Sequence, residues 1–500
     1  VRVLRNRTTA SLLSAAVAAP VLFVAASPAG AQDVARHDGH RTAPAGEAQR
    51  LAEKLVKKST GKSAYRHLEK FQKIADAHGG NRAAGTSGHQ ASTTYVYDRL
   101  KKAGYKVTYQ NFKLYKSRTL RESARVVSPE PRELSARAFA FSKSTPQGGL
   151  QAPVVAARVD ATPGCEADDY ASDTFTGKIA LVKRGACTFA EKEAAATKAG
   201  ALGLVLYNHS GDQPVEGDLE HPRNAHIPAV GITKAEGEKL AGQVAGGEVK
   251  LSLDVATKTV AHKTRNVIAE TRGGRADRVV ALGAHLDSVP EGPGINDNGS
   301  GSAGLIEVAE KLAKETKGGK KLAHKVRFGW WSAEEVGLLG SDHYVKSLSA
   351  RQKKNIKLYL NFDMIASPNA AELVYDGDDS DKTGAGAGPA GSAQIEKLIN
   401  GFLDKKKVPH WGTDFDGRSD YGPFIDAGIP AGGTFTGAEG LKTAEQAAKA
   451  GGEAGRPYDP NYHAKGDDIS NINRKAFALN IDVIAHAVGT YAHDLSSLRH

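Results

Sequence analysis

Apolar residues recur at three- and four-residue steps from Glu47 onward: Leu51 and Leu55, then, past a Gly and Ser break, Tyr65, Leu68, Phe71 and Ile74. That period predicts helices packed on a core, and residues 91–103, with Tyr95, Tyr97 and Leu100, predict another before a strand at 105–112. Between Val126 and His262 the texture changes to short apolar runs separated by turns. Residues 152–156, 178–182, 203–207 and 230–232 predict strands and 190–199 and 234–241 predict helices, a compact inserted module. After Asn266 strand and helix alternate over 278–285, 301–313, 325–331, 338–346, 357–364, 372–375 and 392–403, and a terminal helix is expected within 473–495. Such alternation predicts an α/β domain with a largely parallel sheet covered on both faces. In these sheets function gathers at the carboxyl ends of strands, where His285, Glu334 with Glu335, and Asp363 fall.

A hydrophobic fraction of 40% with 25% charged residues is ordinary for globular protein, and 500 residues allow about three domains. The first 31 residues carry Arg2, Arg5 and Arg7, an apolar stretch over 10–26, and Pro28-Ala29-Gly30-Ala31 before Gln32, the layout of a secretory signal. Its apolar stretch is shorter than the roughly 20 residues that a membrane span needs, so export to the extracellular space is expected, not anchoring. Residues 32–61 are expected to be a leader or pro-segment. The two cysteines, Cys165 and Cys187, then predict a single disulfide. Formal charge is +11, of which the signal supplies three arginines, leaving a mild +8 for the rest. Lys57-Lys58, Lys353-Lys354 and Lys405 to Lys407 sit among acids and read as solvated helix faces, so no nucleic-acid partner is expected. His209, His221 and His226 have no acidic partner at a persuasive spacing and read as structural or surface residues.

The chemistry concentrates later. Glu334 and Glu335 follow the apolar lead-in Trp330-Trp331-Ser332-Ala333, and their neighbouring side chains point apart, so one can bind metal while the other shuttles a proton. Carboxylates with imidazoles suit zinc, and an unligated carboxylate beside the metal is what a hydrolase requires. Asp363 closes a buried strand, where an unpaired carboxylate costs several kcal/mol and wants a cation. Asp297 lies in the turn-rich Asn296-Asp297-Asn298-Gly299-Ser300-Gly301, which can bring a carboxylate between two ions; the glycines there read as sites of close chain packing. Asp287, two residues after His285 on a strand, shares its face and can hold the imidazole from behind. By spacing alone His463 competes with His324, His343 and His410 as the remaining ligand.

The motifs Gly283-Ala284-His285-Leu286-Asp287-Ser288, Gly294 to Gly301, Trp330 to Glu335, Tyr359 to Ile365, Gly417-Arg418-Ser419-Asp420 and Tyr462-His463 to Asn473 closely resemble the secreted bacterial leucyl aminopeptidases with two co-catalytic zincs. Gly80-Asn81-Arg82 and Gly85-Thr86 resemble that family's amino-terminal section, so the peptidase domain is expected over 62–130 and 258–500. The resemblance implies a zinc exopeptidase fold and removal of a large apolar, leucine-like first residue from peptides with a free amino terminus. It implies His285 and Asp363 on one zinc, Glu335 and His463 on the other, and Asp297 between them. Glu334 becomes the general base, Tyr462 the donor to the oxyanion, Arg418 a substrate contact, and Phe435 with Gly417 part of the substrate pocket. A cis peptide after Asp297 is also implied. Asn461 and Gly466 stand where some relatives have a disulfide clamping the histidine loop, and Ala478 where some have a calcium-binding aspartate, with Asp482 retained; no calcium site is expected. Residues 131–257 resemble a protease-associated (PA) domain through Gly177 to Gly185, Cys187, Phe189, Lys192, Ala199-Gly200-Ala201 and Tyr207-Asn208, giving a β-rich α+β insert without catalytic residues. A carboxypeptidase or glutaminyl cyclase on a related scaffold, or an inactive binding protein built around the insert, are the alternative readings.

Overall fold

A computed structural model describes residues 44–171, 174–384 and 386–498. The expected signal and residues 32–43 of the expected leader lie outside them. Three helices come first, α1 (Pro44–Lys58), α2 (Gly61–Ala77) and α3 (Ser87–Ala103), then the long strand β1 (Lys106–Ser128). The second half of the expected leader is thus helix α1, and its Leu51 and Leu55 join Leu68, Phe71 and Ile484 in one core. Thr60 and Thr86 cap α2 and α3 by accepting from Ser63 and His89 backbone N–H groups.

The insert follows as β2 (Arg132–Leu134), β3 (Ala136–Ala138), β4 (Leu150–Ala156), β5 (Ile179–Lys183), α4 (Phe189–Lys198), β6 (Gly203–Tyr207), β7 (Ala229–Ile232) and α5 (Lys234–Gly246). Strands β4 to β7 run parallel in that order, and β3 closes the edge antiparallel to β7. Alternate residues feed opposite faces, Ile179 and Leu181 into one cluster, Ala180 and Val182 into another. Both strand-to-helix steps use the same device: Thr188 with Glu191 and Thr233 with Glu236 form capping boxes at α4 and α5.

Strand β8 (Lys250–Glu270) returns antiparallel to β1 in register from Ser128↔Lys250 to Lys106↔Glu270, interrupted only by register shifts between Thr119 and Arg121 and between Val126 and Ser128. The two modules are therefore joined by a continuous two-stranded ribbon. Its outer β8 half pairs with β4 of the insert and its inner half with β10 of the second module.

That second module continues with β9 (Arg275–His285), α6 (Gly301–Glu315), β10 (His324–Trp331), α7 (Leu339–Ser347), α8 (Ala350–Asn355), β11 (Ile356–Phe362), β12 (Leu373–Tyr375), α9 (Ser392–Lys405), β13 (Trp411–Thr413), α10 (Gly422–Asp426), β14 (Ala431–Phe435), α11 (Ala444–Ala450) and α12 (Arg474–Tyr491). Its sheet order is β13-β12-β14-β11-β9-β10-β8, with β14, β11, β9 and β10 all parallel. Val280, Leu282 and Ala284 of β9 enter the core shared with α2, α6 and α12, while Val279 and Ala281 enter the cluster containing Tyr344 of α7 and Phe424 of α10. The period of two across a doubly covered strand makes the central strands apolar throughout, and it aligns their carboxyl ends along one edge. His285 ends β9, Asp363 follows β11, Glu334 lies three residues beyond β10, and Phe435 ends β14.

Candidate metal centre

At that edge, Asp297 reaches from the turn before α6. Its Oδ1 lies 3.0 Å from His285 Nε2 and its Oδ2 lies 3.3 Å from His463 Nε2, so each oxygen serves a different imidazole. Asp363 Oδ1 is 3.2 Å from His285 Nε2 and Glu335 Oε2 is 2.9 Å from His463 Nε2. Glu334 stands slightly back, its Oε2 3.8 Å from His285 Nε2. The peptide between Asp297 and Asn298 is cis. Gly301 allows the tight approach of this turn to β11: a Cβ there would lie 2.0 Å from the Phe362 carbonyl oxygen.

Part of this set's bonding capacity is left open. His285 Nε2, Asp363 Oδ1 and Glu335 Oε1 are buried with no hydrogen-bond partner. Ligands at about 2 Å from a tetrahedral zinc stand roughly 3.3 Å from one another, so spacings near 3 Å between imidazole nitrogen and carboxylate oxygen fit a zinc ligand set. The electrostatics agree. Burial opposes a charged His285, yet the Asp363, Glu334 and Asp297 carboxylates raise its pKa well above the ordinary value. Burial likewise opposes a charged His463, which hydrogen bonding to Asp297 and Glu335 nevertheless raises to about 10. Burial and the neighbouring Asp297 charge push Glu335 up to about 8, and burial pushes Glu334 well above the usual carboxylate range. Asp297 is the exception: burial would raise it, but the imidazoles on its two oxygens hold it below that range. Excess carboxylate charge in a buried space is what divalent cations neutralise.

Supporting groups fix this arrangement. The His285 Nδ1 lies 3.1 Å from the Asp287 carbonyl oxygen. The Asp287 carboxylate, expected to hold the imidazole, is 3.8 Å away at Oδ1 and instead accepts the Glu334 backbone N–H at 3.3 Å. The strand ends at His285, and the chain's turn there brings the carbonyl round, which a strict alternation argument misses. Ser419 Oγ donates to Asp363 Oδ2 at 2.5 Å. Asp467 accepts the backbone N–H groups of Asn296 at 2.8 Å and Asp297 at 3.0 Å, tying the Asp297 turn to the loop that carries His463. Asn471 donates to both Asp459 and Asp467 in the same network. Asp467 and Asp459 carry no spacing signal in the sequence; only the fold brings them under the site. Asn461 occupies the clamp position by hydrogen bonding to Asn471 at 2.7 Å, and a Cβ on Gly466 would lie 3.5 Å from the Asn461 Cβ.

A cleft of about 700 Å³ opens over the cluster. Met364, Tyr375, Phe435 and Tyr458 give it an apolar wall, and Gly417, Arg418 and Tyr462 also line it. Arg418 donates to the Tyr462 hydroxyl at 3.2 Å and to Glu439 at 2.7 Å. Of the site residues expected from sequence, Asp297, Glu334, Glu335, Asp363, Gly417, Arg418, Phe435, Tyr462 and His463 line this cleft, His285 meets it through Asp297 and Asp363, Asp287 touches His285 and Glu334 without lining it, and the disulfide joins Cys165 to Cys187 in the insert. The rival histidines lie elsewhere: His343 stacks on Phe112, His410 contacts the Val408 carbonyl, and His324 is buried beside the carboxyl end of α12. His226 does have an acidic partner, Glu193 at 3.0 Å, supplied from 33 residues away. Asp482 is paired with Lys406 at 2.8 Å.

Residues 266–488 match Peptidase family M28, and residues 150–240 match the PA domain. Over 432 residues the chain is 45% identical to the probable lipoprotein aminopeptidase LpqL of Mycobacterium tuberculosis, covering 86% of this chain and 84% of that protein. It is also 45% identical over 429 residues to leucine aminopeptidase 2 of Trichophyton tonsurans, covering 86% and 83%. Among solved structures, an aminopeptidase from Aneurinibacillus sp. strain AM-1 superposes with a TM-score of 0.63 at 25% identity, over 87% of this chain and 95% of that one. BSAP, a zinc aminopeptidase from Bacillus subtilis, superposes with a TM-score of 0.52 at 27% identity, over 86% and 94%. With its parallel strand edge, convergent carboxylates and inserted module, the chain belongs to Peptidase family M28 and carries a PA domain.

Proposed function

We propose that this peptidase is a secreted aminopeptidase that uses two zinc ions to remove a large apolar, leucine-like residue from the amino terminus of peptides. The observation that carries the reading is the division of Asp297, whose two oxygens face His285 and His463 separately. In this reading His285 and Asp363 hold one ion, Glu335 and His463 the other, and Asp297 lies between. Zinc at such a site polarises the scissile carbonyl and acidifies water. Glu334 takes the proton of the attacking water and returns it to the leaving amine; its position 3.8 Å from His285 Nε2, outside the closer ligand contacts, suits a shuttle. The Tyr462 hydroxyl accepts from Arg418, which leaves its own proton free to donate to the oxyanion. The apolar wall with Phe435 supports a large aliphatic first side chain. Secretion is supported by the amino-terminal signal pattern and the disulfide; no helix among the described residues is long and apolar enough to cross a membrane.

Metal analysis with leucine p-nitroanilide turnover tests the reading. Two zinc ions per chain are expected, with activity lost in chelator and restored by zinc. A single equivalent of zinc, or turnover that survives complete removal of metal, would overturn it.

A further inference from the structure

Glu334 and Glu335 sit on a turn held both by its own backbone and from outside, where Asp287 accepts the Glu334 backbone N–H at 3.3 Å and the Thr264 hydroxyl lies 2.5 Å from that of Ser332. Ala333 and Leu338 both adopt positive φ, at 61° and 59°, a left-handed conformation that side chains with a Cβ rarely take. The turn closes internally through Leu338 N–H to the Glu334 carbonyl at 3.0 Å and Leu339 N–H to the Ala333 carbonyl at 3.0 Å. Both of its ends are then gripped from outside by one side chain of β8. Asn266 is fully buried; its Oδ1 accepts the Ser332 backbone N–H at 3.0 Å and its Nδ2 donates to the Gly340 carbonyl at 2.8 Å. Ser332 and Gly340 bracket the two glutamates. A second Nδ2 bond, to Gln110 Oε1 at 2.9 Å, runs back to β1 and does not touch the turn. Gly340 is shaped to this contact, since a Cβ there would lie 2.5 Å from Asn266 Oδ1 and 2.2 Å from the Ser332 carbonyl oxygen.

We infer that Asn266 is a positioning residue for catalysis: its amide staples the two ends of the 332–340 turn and so sets where the Glu334 and Glu335 carboxylates stand. The inference rests on the reading of Glu334 as proton shuttle and Glu335 as metal ligand. An amide suits the task because it offers an acceptor to one end and a donor to the other, without adding charge to a cluster already rich in carboxylates. A displacement of about 1 Å at a reacting group is enough to cost roughly a hundredfold in rate.

The test compares Asn266→Ala and Gly340→Ala with the control Gln110→Ala, in the full-length zinc-loaded protein. Asn266→Ala is expected to lower kcat for leucine p-nitroanilide about 10- to 100-fold with KM within about 3-fold, because Phe435 at the end of β14 and Gly417 in the loop before α10 stand outside the 332–340 turn. Zinc competition with a chromophoric chelator should show about tenfold weaker retention through the shifted Glu335. Gln110→Ala should match the parent in both readouts. A folded Asn266→Ala with kcat within twofold of the parent, or an equal loss in Gln110→Ala, overturns the inference. If Asn266→Ala does not fold, Gly340→Ala decides: it should lower kcat at least tenfold, and a folded Gly340→Ala with parental kcat overturns the proposal. Loss of activity in Glu334→Gln together with a parental Asn266→Ala would remove only the staple, whereas a fully active Glu334→Gln would remove the underlying reading.

Discussion

Two clusters of buried charge, one in each module, are completed in different ways. In the PA domain, Glu193 is fully buried and both its oxygens are engaged, by the His226 and Ile227 backbone N–H groups at 2.5 and 2.8 Å and by the His226 ring at 3.0 Å. Lys192 beside it donates to the Pro163 carbonyl and approaches Cys165 Sγ at 3.5 Å. In the peptidase cleft, by contrast, His285, Glu335 and Asp363 each present a buried atom with no hydrogen-bond partner. A charge whose hydrogen bonds are complete supports a fold; charges that converge with their bonding capacity unspent support chemistry, because an isolated buried carboxylate is otherwise too costly to keep. No cleft-lining residue comes from 131–257, so the insert supplies none of the walls of the site among the described residues.

The sharpest way to break this contrast is Glu334→Gln. Steady-state kinetics should show kcat falling by roughly a thousandfold while zinc content and the melting temperature stay close to the parent, since general-base catalysis is worth about 10² to 10⁴. A variant with full turnover would mean that Glu334 is not the proton shuttle. In the PA domain the reverse pattern is expected. Replacing Cys165 and Cys187 by alanine opens a loop of 22 residues and should destabilise the insert by about 3 kcal/mol in denaturant titration, with turnover of leucine p-nitroanilide unchanged.

A smaller effect separates the modules by pH. Burial, then the Arg99, Arg66 and Lys311 charges, pull His67 in α2 from its ordinary value down to about 3. The unfolded chain takes up this proton near pH 6.5, whereas the folded chain refuses it until about pH 3. Its contribution to stability is therefore complete above about pH 6.5 and is lost as the pH falls toward 3. Melting curves of the peptidase module should shift downward over that window, and His67→Asn should lessen the slope; an unchanged slope would assign the acid sensitivity elsewhere.

Several site residues are legible in the sequence because their signal is local. His285 at a strand end, and Glu335 and Asp363 just beyond theirs, follow runs of apolar residues, and the turn at Asp297 announces itself by its glycines and asparagines. The choice of His463 over three other histidines comes from resemblance, not from spacing. The ribbon is legible only as far as residue 112, since residues 115–123 are half-buried or exposed and offer little apolar alternation, and their register with β8 is a pairing across more than a hundred residues. Helix α1, expected as part of a leader, shows its amphipathic period, but that period does not reveal that α12 is the surface it covers.

Sequence by itself singled out His285, Asp297, Glu334, Glu335 and Asp363 as candidate donors, and it determined the alternation that makes a doubly covered sheet and the boundaries of most elements, because residue type and period act within a few positions along the chain. Only the tertiary structure decided how those donors are held. Asn266 grips the Glu334–Glu335 turn from 66 and 74 residues away, Asp467 reaches the Asp297 turn from 170, and the Asp287 carbonyl, not its carboxylate, meets His285. Hydrogen bonds of this kind depend on where two distant backbones come to rest, and no period in the chain encodes that distance.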